Sequence, residues 1–233
     1  FEKYFLKLFT DERQMHTQIF IDLSASMGKD NSKKAAYAIS VAAALGYLSV
    51  HNMDKVSFKL IRGEKAEDPF GTIVGKRAFF NAISSLDGLE FDGECDLRSA
   101  IINAPNQGNN DGLTVIISDF FTDSDWKSAV DYLCYKKRQV ILIQIITPEE
   151  REPLYSGRVN LLDSESENEL DFKNMRMNID RSAQEAYEMA MQEILHDLQS
   201  FASSRDAAFI SVSTDQPIEK TLFKELLKVG IMA

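Results

Sequence analysis

Apolar positions along the chain follow two alternating rhythms. Thr17-Gln-Ile-Phe-Ile-Asp22 is rich in β-branched and aromatic residues and predicts a strand, which passes into the turn Leu23-Ser-Ala-Ser-Met-Gly28. Lys33 to Val50 follows as a helix rich in Ala and Leu, with Asn31 or Ser32 as its cap. Lys55 to Ile61 alternates with period two, and Gly71 to Val74 is expected to return beside it as an antiparallel edge strand. Lys76 to Leu86 and Leu97 to Asn103 read as helices around the loop Asp87 to Asp96. Leu113-Thr-Val-Ile-Ile-Ser-Asp119 is apolar on both faces, as a central parallel strand must be. A helix over residues 124–136 and a second continuous strand, Gln139 to Ile146, complete the βαβα rhythm. This pattern predicts an α/β fold: a doubly wound, mostly parallel sheet with helices on both faces and one antiparallel edge strand.

Beyond Thr147-Pro148 the pattern changes. Residues 147–172 hold the acids Glu149, Glu150, Glu152, Asp163, Glu165, Glu167, Glu169 and Asp171 against Arg151 and Arg158, a net charge of −6. Arg158 to Asp163 and Glu169 to Phe172 are expected to be the arms of an exposed hairpin, so that 147–178 is an acidic insertion in a single domain spanning 1–233. A long helix from about Asp180 to Ser204, a strand Ala207 to Ser213 and a closing helix Ile218 to Val229 resume the α/β pattern. Phe1, Tyr4, Phe5, Leu8 and Phe9 have helical spacing, but so short a stretch is equally compatible with an extended segment.

Composition narrows the function. Across 233 residues the formal net charge is −10, and phosphate repulsion therefore argues against DNA, RNA or an anionic membrane as the partner. No run reaches the ~18 uninterrupted apolar residues of a membrane span, and no secretory signal opens the chain. The first residue is Phe1 rather than Met, which suggests a piece of a longer protein. Cys95 and Cys134 form no CxxC pair, which fits a reduced, cytoplasmic setting.

The most informative segment is Asp22-Leu-Ser24-Ala-Ser26-Met27. It sets one carboxylate and two hydroxyls on a tight turn at the carboxyl end of the first strand. Asp119 arrives at the carboxyl end of another, and such ends converge on one crevice at the topological switch point of an open sheet. An oxygen-rich crevice suits a small hard cation such as Mg²⁺. His16, His51 and His196 are scattered without a partner at ligand spacing. Ser118 lacks a GxSxG elbow, and Gly108 to Gly112 lacks the Lys-Ser/Thr of a phosphate cradle. Phe120, Phe121 and Trp126 suit core packing or an aromatic rim, and the four methionines 175, 177, 189 and 191 suit helix core.

Asp22 to Met27 resembles the DxSxS motif of the metal-ion-dependent adhesion site in von Willebrand factor A domains. Leu6 to Arg13, Asp92-Gly-Glu-Cys-Asp-Leu97, Thr147 to Leu154, Gly157 and Leu162 to Glu165 are similar to stretches of the bacterial and archaeal family called domain of unknown function 58. The resemblance implies that Ser24 and Ser26 bind Mg²⁺ directly, with Asp22 and Asp119 holding it directly or through water. The family's loop threonine falls on Cys95, whose soft thiol is a poor Mg²⁺ ligand, and Asp96 stands beside it as a substitute. The function so implied is non-enzymatic protein binding, as an adaptor or chaperone-assembly module working with a MoxR-type AAA+ ATPase. A Mg²⁺-dependent hydrolase using Asp22 and Asp119, and a metal-free interaction scaffold with a degenerate site, are the alternatives.

Overall fold

A computed structural model describes residues 14–28, 32–105, 112–152, 157–161 and 175–219. In chain order the strands and helices are β1 (His16–Asp22), α1 (Ala25–Gly28), α2 (Ser32–His51), β2 (Lys55–Arg62), β3 (Lys65–Glu67), α3 (Lys76–Leu86) and α4 (Leu97–Ile102). They continue with β4 (Gly112–Ser118), α5 (Trp126–Tyr135), β5 (Arg138–Ile146), α6 (Pro148–Arg151), β6 (Gly157–Leu161), β7 (Met175–Ile179), α7 (Arg181–Ser204) and β8 (Ala208–Ser213). The main sheet runs β3-β2-β1-β4-β5-β8, with β3 antiparallel and every other neighbouring pair parallel. Strand order reverses at β1, which lies between β2 and β4. The switch point is therefore at the carboxyl ends of β1 and β4, where Asp22 and Asp119 sit.

Period-two alternation within each central strand makes the two cores. Ile19, Ile21, Val115, Ile117, Ile141 and Ile143 point to the face covered by α2 and α3, where Val41, Leu45 and Phe79 meet them. Phe20, Ile116 and Leu142 point to the other face, against Ala100, Val130 and Leu198 from α4, α5 and α7. Burial on both faces is why these strands read as unbroken apolar runs.

Two expectations need correction. The antiparallel edge strand is β3 rather than Gly71 to Val74; of that segment only Ile73 pairs, through one antiparallel bridge to Val56. The chain reverses immediately after β2, at Gly63, whose φ of +54° is open to a residue without Cβ. It then leaves the ladder at Asp68-Pro69, where the Asp68 carboxylate turns inward onto the buried Lys59 ammonium at 2.5 Å. The hairpin also differs, because β6 pairs antiparallel with β7, Met175–Ile179. The arm expected at 169–172, the Phe1 to Phe9 stretch, Asn31, the 108–111 loop and the closing helix beyond Glu219 lie outside the described residues.

Candidate functional site

Three loops are sewn together at the carboxyl end of β1. Leu23 N–H donates to the Ile61 carbonyl at 3.2 Å, Asp92 N–H to the Leu23 carbonyl at 2.9 Å, and Ala25 N–H to the Gly93 carbonyl at 2.9 Å. The 87–96 loop is thereby tied to the DxSxS turn. Its far end is tied to the segment between β4 and α5, because Leu97 N–H donates to Ser124 Oγ at 3.1 Å.

Within this frame Asp22 is 3% exposed, and both of its oxygens are engaged. Oδ1 accepts from Ser24 N–H at 2.9 Å, and Oδ2 accepts from Ser118 Oγ at 2.6 Å. Ser118 Oγ in turn accepts from Phe120 N–H at 3.0 Å. Burial, and secondarily the nearby Asp119, push the Asp22 carboxyl above the usual carboxylate range, although the Ser118 and Ser24 hydrogen bonds oppose this. Ser24 Oγ and Ser26 Oγ lie 3.1 Å apart. Of the pair, Ser24 is buried and Ser26 half-buried.

Asp119 is held from three directions. Oδ1 accepts from Phe121 N–H at 3.0 Å, and its carbonyl accepts from Gln144 Nε2 at 3.0 Å. Oδ2 forms an ion pair with Lys34 Nζ at 2.8 Å, the two side chains being 2% and 0% exposed. Phe120, between these anchored residues, has φ +58°, a conformation uncommon and strained for a bulky side chain. Lys34 comes from the first turns of α2. Its ammonium also meets Glu150 Oε1 at 2.7 Å and lies 5.6 Å from the Phe121 ring centre. Glu150 belongs to a capping box: Thr147 Oγ1 accepts from Glu150 N–H at 3.1 Å while Glu150 Oε2 accepts from Thr147 N–H at 2.8 Å. Tyr187 Oη donates to the Glu150 carbonyl, bringing α7 to the same edge.

The sequence-predicted residues therefore divide. Asp22, Ser24, Ser26 and Asp119 share one edge: hydrogen bonds join the first three to Ser118, and Asp119 follows Ser118 directly in the chain. Cys95 is buried beside Asp22, its thiol donating to the Ile61 carbonyl at 3.3 Å. Burial first and the Asp22 charge second push that thiol far above its ordinary value, so it is not a thiolate. Asp96 caps α4, its Oδ1 accepting from Ser99 N–H at 3.1 Å. Burial opposes ionisation of Asp96, but hydrogen bonds from Ser99 outweigh it and hold the carboxyl below its usual value. His16 lies at the opposite, amino-terminal end of the sheet.

Lys34, Glu150 and Gln144 are the residues that sequence reasoning missed. Lys34 lies in register with Ala38, Val41 and Leu45 on the buried stripe of α2, and a charge on such a stripe was the available signal. For Glu150 it was the Thr-x-x-Glu spacing.

The donor set does not suit Mg²⁺. That ion takes six oxygens at ~2.0–2.1 Å, ideally with anionic carboxylates free to face it. Here Asp119 is engaged by a buried ammonium, both Asp22 oxygens accept hydrogen bonds from the protein itself, and Cys95 offers a soft thiol that points to a backbone carbonyl. Among the described residues, no group of three or more His, Cys, Asp or Glu side chains is arranged to hold a metal.

A groove near this edge, of about 390 Å³, is lined by Phe120, Phe121, Trp126, Ile194, Asp197 and Leu198. Trp126 stands edge-on to both Phe120 and Phe201, at 5.9 and 5.3 Å between ring centres, so it serves packing and groove at once.

The fold is shared with solved structures of low sequence identity. BatB from Bacteroides thetaiotaomicron superposes with a TM-score of 0.55 at 14% identity, covering 93% of this chain and 99% of that one. The SpRpn10 VWA domain gives 0.51 at 11% identity, covering 95% and 100%. Proximal thread matrix protein 1 from the mussel byssus, with a zinc-occupied MIDAS motif, gives 0.50 at 10% identity over 93% of this chain and 46% of that one. No curated protein matches. No helix among the described residues is long and apolar enough to cross a membrane. A family model matches residues 1–193, and the chain belongs to the family described as protein of unknown function DUF58.

Proposed function

We propose that this chain is a non-enzymatic protein-interaction module whose docking face is the carboxyl edge of the sheet. The observation that carries this reading is the sewn junction of the DxSxS turn, the 87–96 loop and the segment after β4. It supports the reading because the DxSxS turn, with Asp22, Ser24 and Ser26, and the end of β4, with Ser118 and Asp119, lie at the switch point, where ligands of open α/β sheets bind. Domains of the von Willebrand factor A fold are in general interaction modules, and both carboxylates that a hydrolase would need are committed to structural partners.

The resemblance implies Mg²⁺ held by Asp22, Ser24, Ser26, Asp96 and Asp119. The ion pairing of Asp119 favours the metal-free form of the same face. The partner in this reading is a MoxR-type AAA+ ATPase in the cytoplasm. Exposed Asp92, Glu94, Asp123, Asp125, Glu149 and Glu152 around the edge, against exposed Lys33, Arg98 and Arg151, suit a partner surface that is basic.

The test is direct binding of the purified chain to the purified ATPase of that type from the same organism, read by interferometry. Saturable binding weakened at least tenfold by Ser26→Asp and Asp123→Lys together is expected, because both positions lie at the accessible rim. Undetectable binding overturns the partner, and unaltered binding of the double variant overturns the face.

A further inference from the structure

The Lys34 ammonium has a place in the fold that packing alone does not require. It is a charge carried on the apolar stripe of α2, wholly enclosed, and directed at Asp119 just beyond the end of β4. Burying an ammonium is costly unless anionic oxygens surround it. Two do: Asp119 Oδ2 at 2.8 Å and Glu150 Oε1 at 2.7 Å. They come from positions 85 and 116 residues further along the chain, so one side chain joins α2, the end of β4 and α6. A divalent ion at such a crevice does the same work. It gathers carboxylates from separate loops and cancels their mutual repulsion.

We infer that Lys34 is a resident cation: its Nζ takes the place of a divalent ion in organising this crevice, so that the edge keeps its shape, and binds its partner, without metal. This rests on the reading of the edge as the docking face only for its last clause, and the test below does not involve a partner.

The chemistry around the amine agrees with the substitution. An ammonium has three donors and is a compact point charge, so it satisfies several carboxylate oxygens at hydrogen-bond distance without demanding octahedral geometry. Its single charge needs fewer anions than a divalent ion. The remaining carboxylate in the crevice, Asp22, has both oxygens engaged, accepting from the Ser24 N–H and the Ser118 hydroxyl. Cys95, where the resembled family has a hydroxyl for the metal, donates its thiol proton to a backbone carbonyl instead. The thiol at Cys95 and the ammonium of Lys34 thus point the same way. A metal ion entering here has to take Asp119 from the ammonium and then lie next to it. Two cations on one carboxylate repel strongly inside a protein, because little water separates them.

The test is Mn²⁺ binding followed by the loss of the free-ion electron paramagnetic resonance signal, on the wild type, Ser26→Ala, Lys34→Arg and Lys34→Ala. Ser26→Ala removes one hydroxyl at a half-buried position and leaves the core untouched. The wild type is expected to show either no bound Mn²⁺ or only weak binding that Ser26→Ala leaves unchanged, as diffuse attraction to an acidic surface would give. Stoichiometric binding that Ser26→Ala weakens tenfold or more overturns the inference. Lys34→Arg is expected to match the wild type. Lys34→Ala, if it folds, should bind Mn²⁺ at least tenfold more tightly than the wild type and melt at a higher temperature when Mn²⁺ or Mg²⁺ is added. A folded Lys34→Ala that gains neither overturns the inference. If Lys34→Ala does not fold, the comparison of wild type with Ser26→Ala decides alone.

Discussion

At the scale of single residues, the site depends on one missing side chain. A Cβ on Gly28 would lie 2.7 Å from Phe91 Cγ and 2.8 Å from Ala35 Cβ. Phe91 is a buried residue of the 87–96 loop, immediately before the Asp92 N–H that anchors that loop to Leu23. The glycine therefore lets the aromatic ring close over the end of the DxSxS turn. Gly28→Ala forces the ring and the loop outward, an overpacking cost of about 1–3 kcal/mol. For a chain of this size that lowers the melting temperature by roughly 3–10 °C, measurable by calorimetry. A variant melting with the wild type would mean that the loop yields freely and is not clamped by this contact. Lys34 is the opposite case, a residue whose presence rather than absence shapes the crevice. In sequence it looks like one more lysine in Lys33-Lys34 beside an acidic surface. Only the stripe Lys34, Ala38, Val41, Leu45 separates it from its solvated neighbour, and the meaning of that stripe depends on which helix face meets the sheet.

At the scale of elements, legibility followed the range of the forces involved. The central strands β1, β4 and β5 were readable because burial on both faces leaves an unbroken apolar run, and α3 because its amphipathic period is clean. The convergence of Asp22 with Asp119 was readable from strand order alone. The edge strand was not, since β3 is held by three register pairs and a turn at Gly63, while the segment around Ile73 has an equally good local pattern. The choice was made by Asp68 reaching Lys59, a contact across the sheet edge that no local periodicity encodes. The Lys34–Glu150 pair was illegible for the same reason, with 116 residues between its partners.

The opposite end of the sheet carries its own prediction. His16 Nε2 lies 3.0 Å from Ser57 Oγ, and the His16 carbonyl accepts from Arg138 Nη2 at 2.8 Å. Burial, then the cationic Arg138, Lys59 and Lys55, lower the His16 value from 6.5 to about 4, with Asp68 the opposing charge. Between these values the unfolded chain binds a proton that the folded chain refuses. Stability therefore falls as pH drops through that window. Because the ring is partly exposed, screening reduces the effect to about 1–2 kcal/mol. Asp22 acts with the opposite sign, its raised value favouring the folded state as pH falls. Comparison with His16→Gln isolates the imidazole: the variant should lose less stability than the wild type between pH 6.5 and 4 in urea titrations. Equal losses would show that His16 charges as easily in the fold as out of it.

At the scale of the whole molecule, the charge of −10 is not spread evenly. One concentration is the rim of the carboxyl edge, and another is the segment 147–178 that leaves the same edge through α6. Glu150 joins the two, since it pairs with Lys34 in the crevice and opens the acidic stretch. Charge of one sign over a docking face accelerates encounter with a basic partner and is screened beyond about 8 Å at physiological salt. It therefore acts on association far more than on dissociation. Glu94→Gln, Asp123→Asn and Glu149→Gln together should slow association with the proposed ATPase partner about threefold to tenfold at low salt, flatten its salt dependence, and leave dissociation within twofold. Glu165→Gln, Glu167→Gln and Glu169→Gln remove the same number of charges from the insertion. If steering comes from the rim, the first set has the larger effect, because its charges surround the contact itself. An equal or larger effect of the second set would move the docking surface to the insertion. Association unaltered by both sets at low salt would mean that the charge serves solubility, and that contact is made by the apolar groove around Phe121 and Trp126.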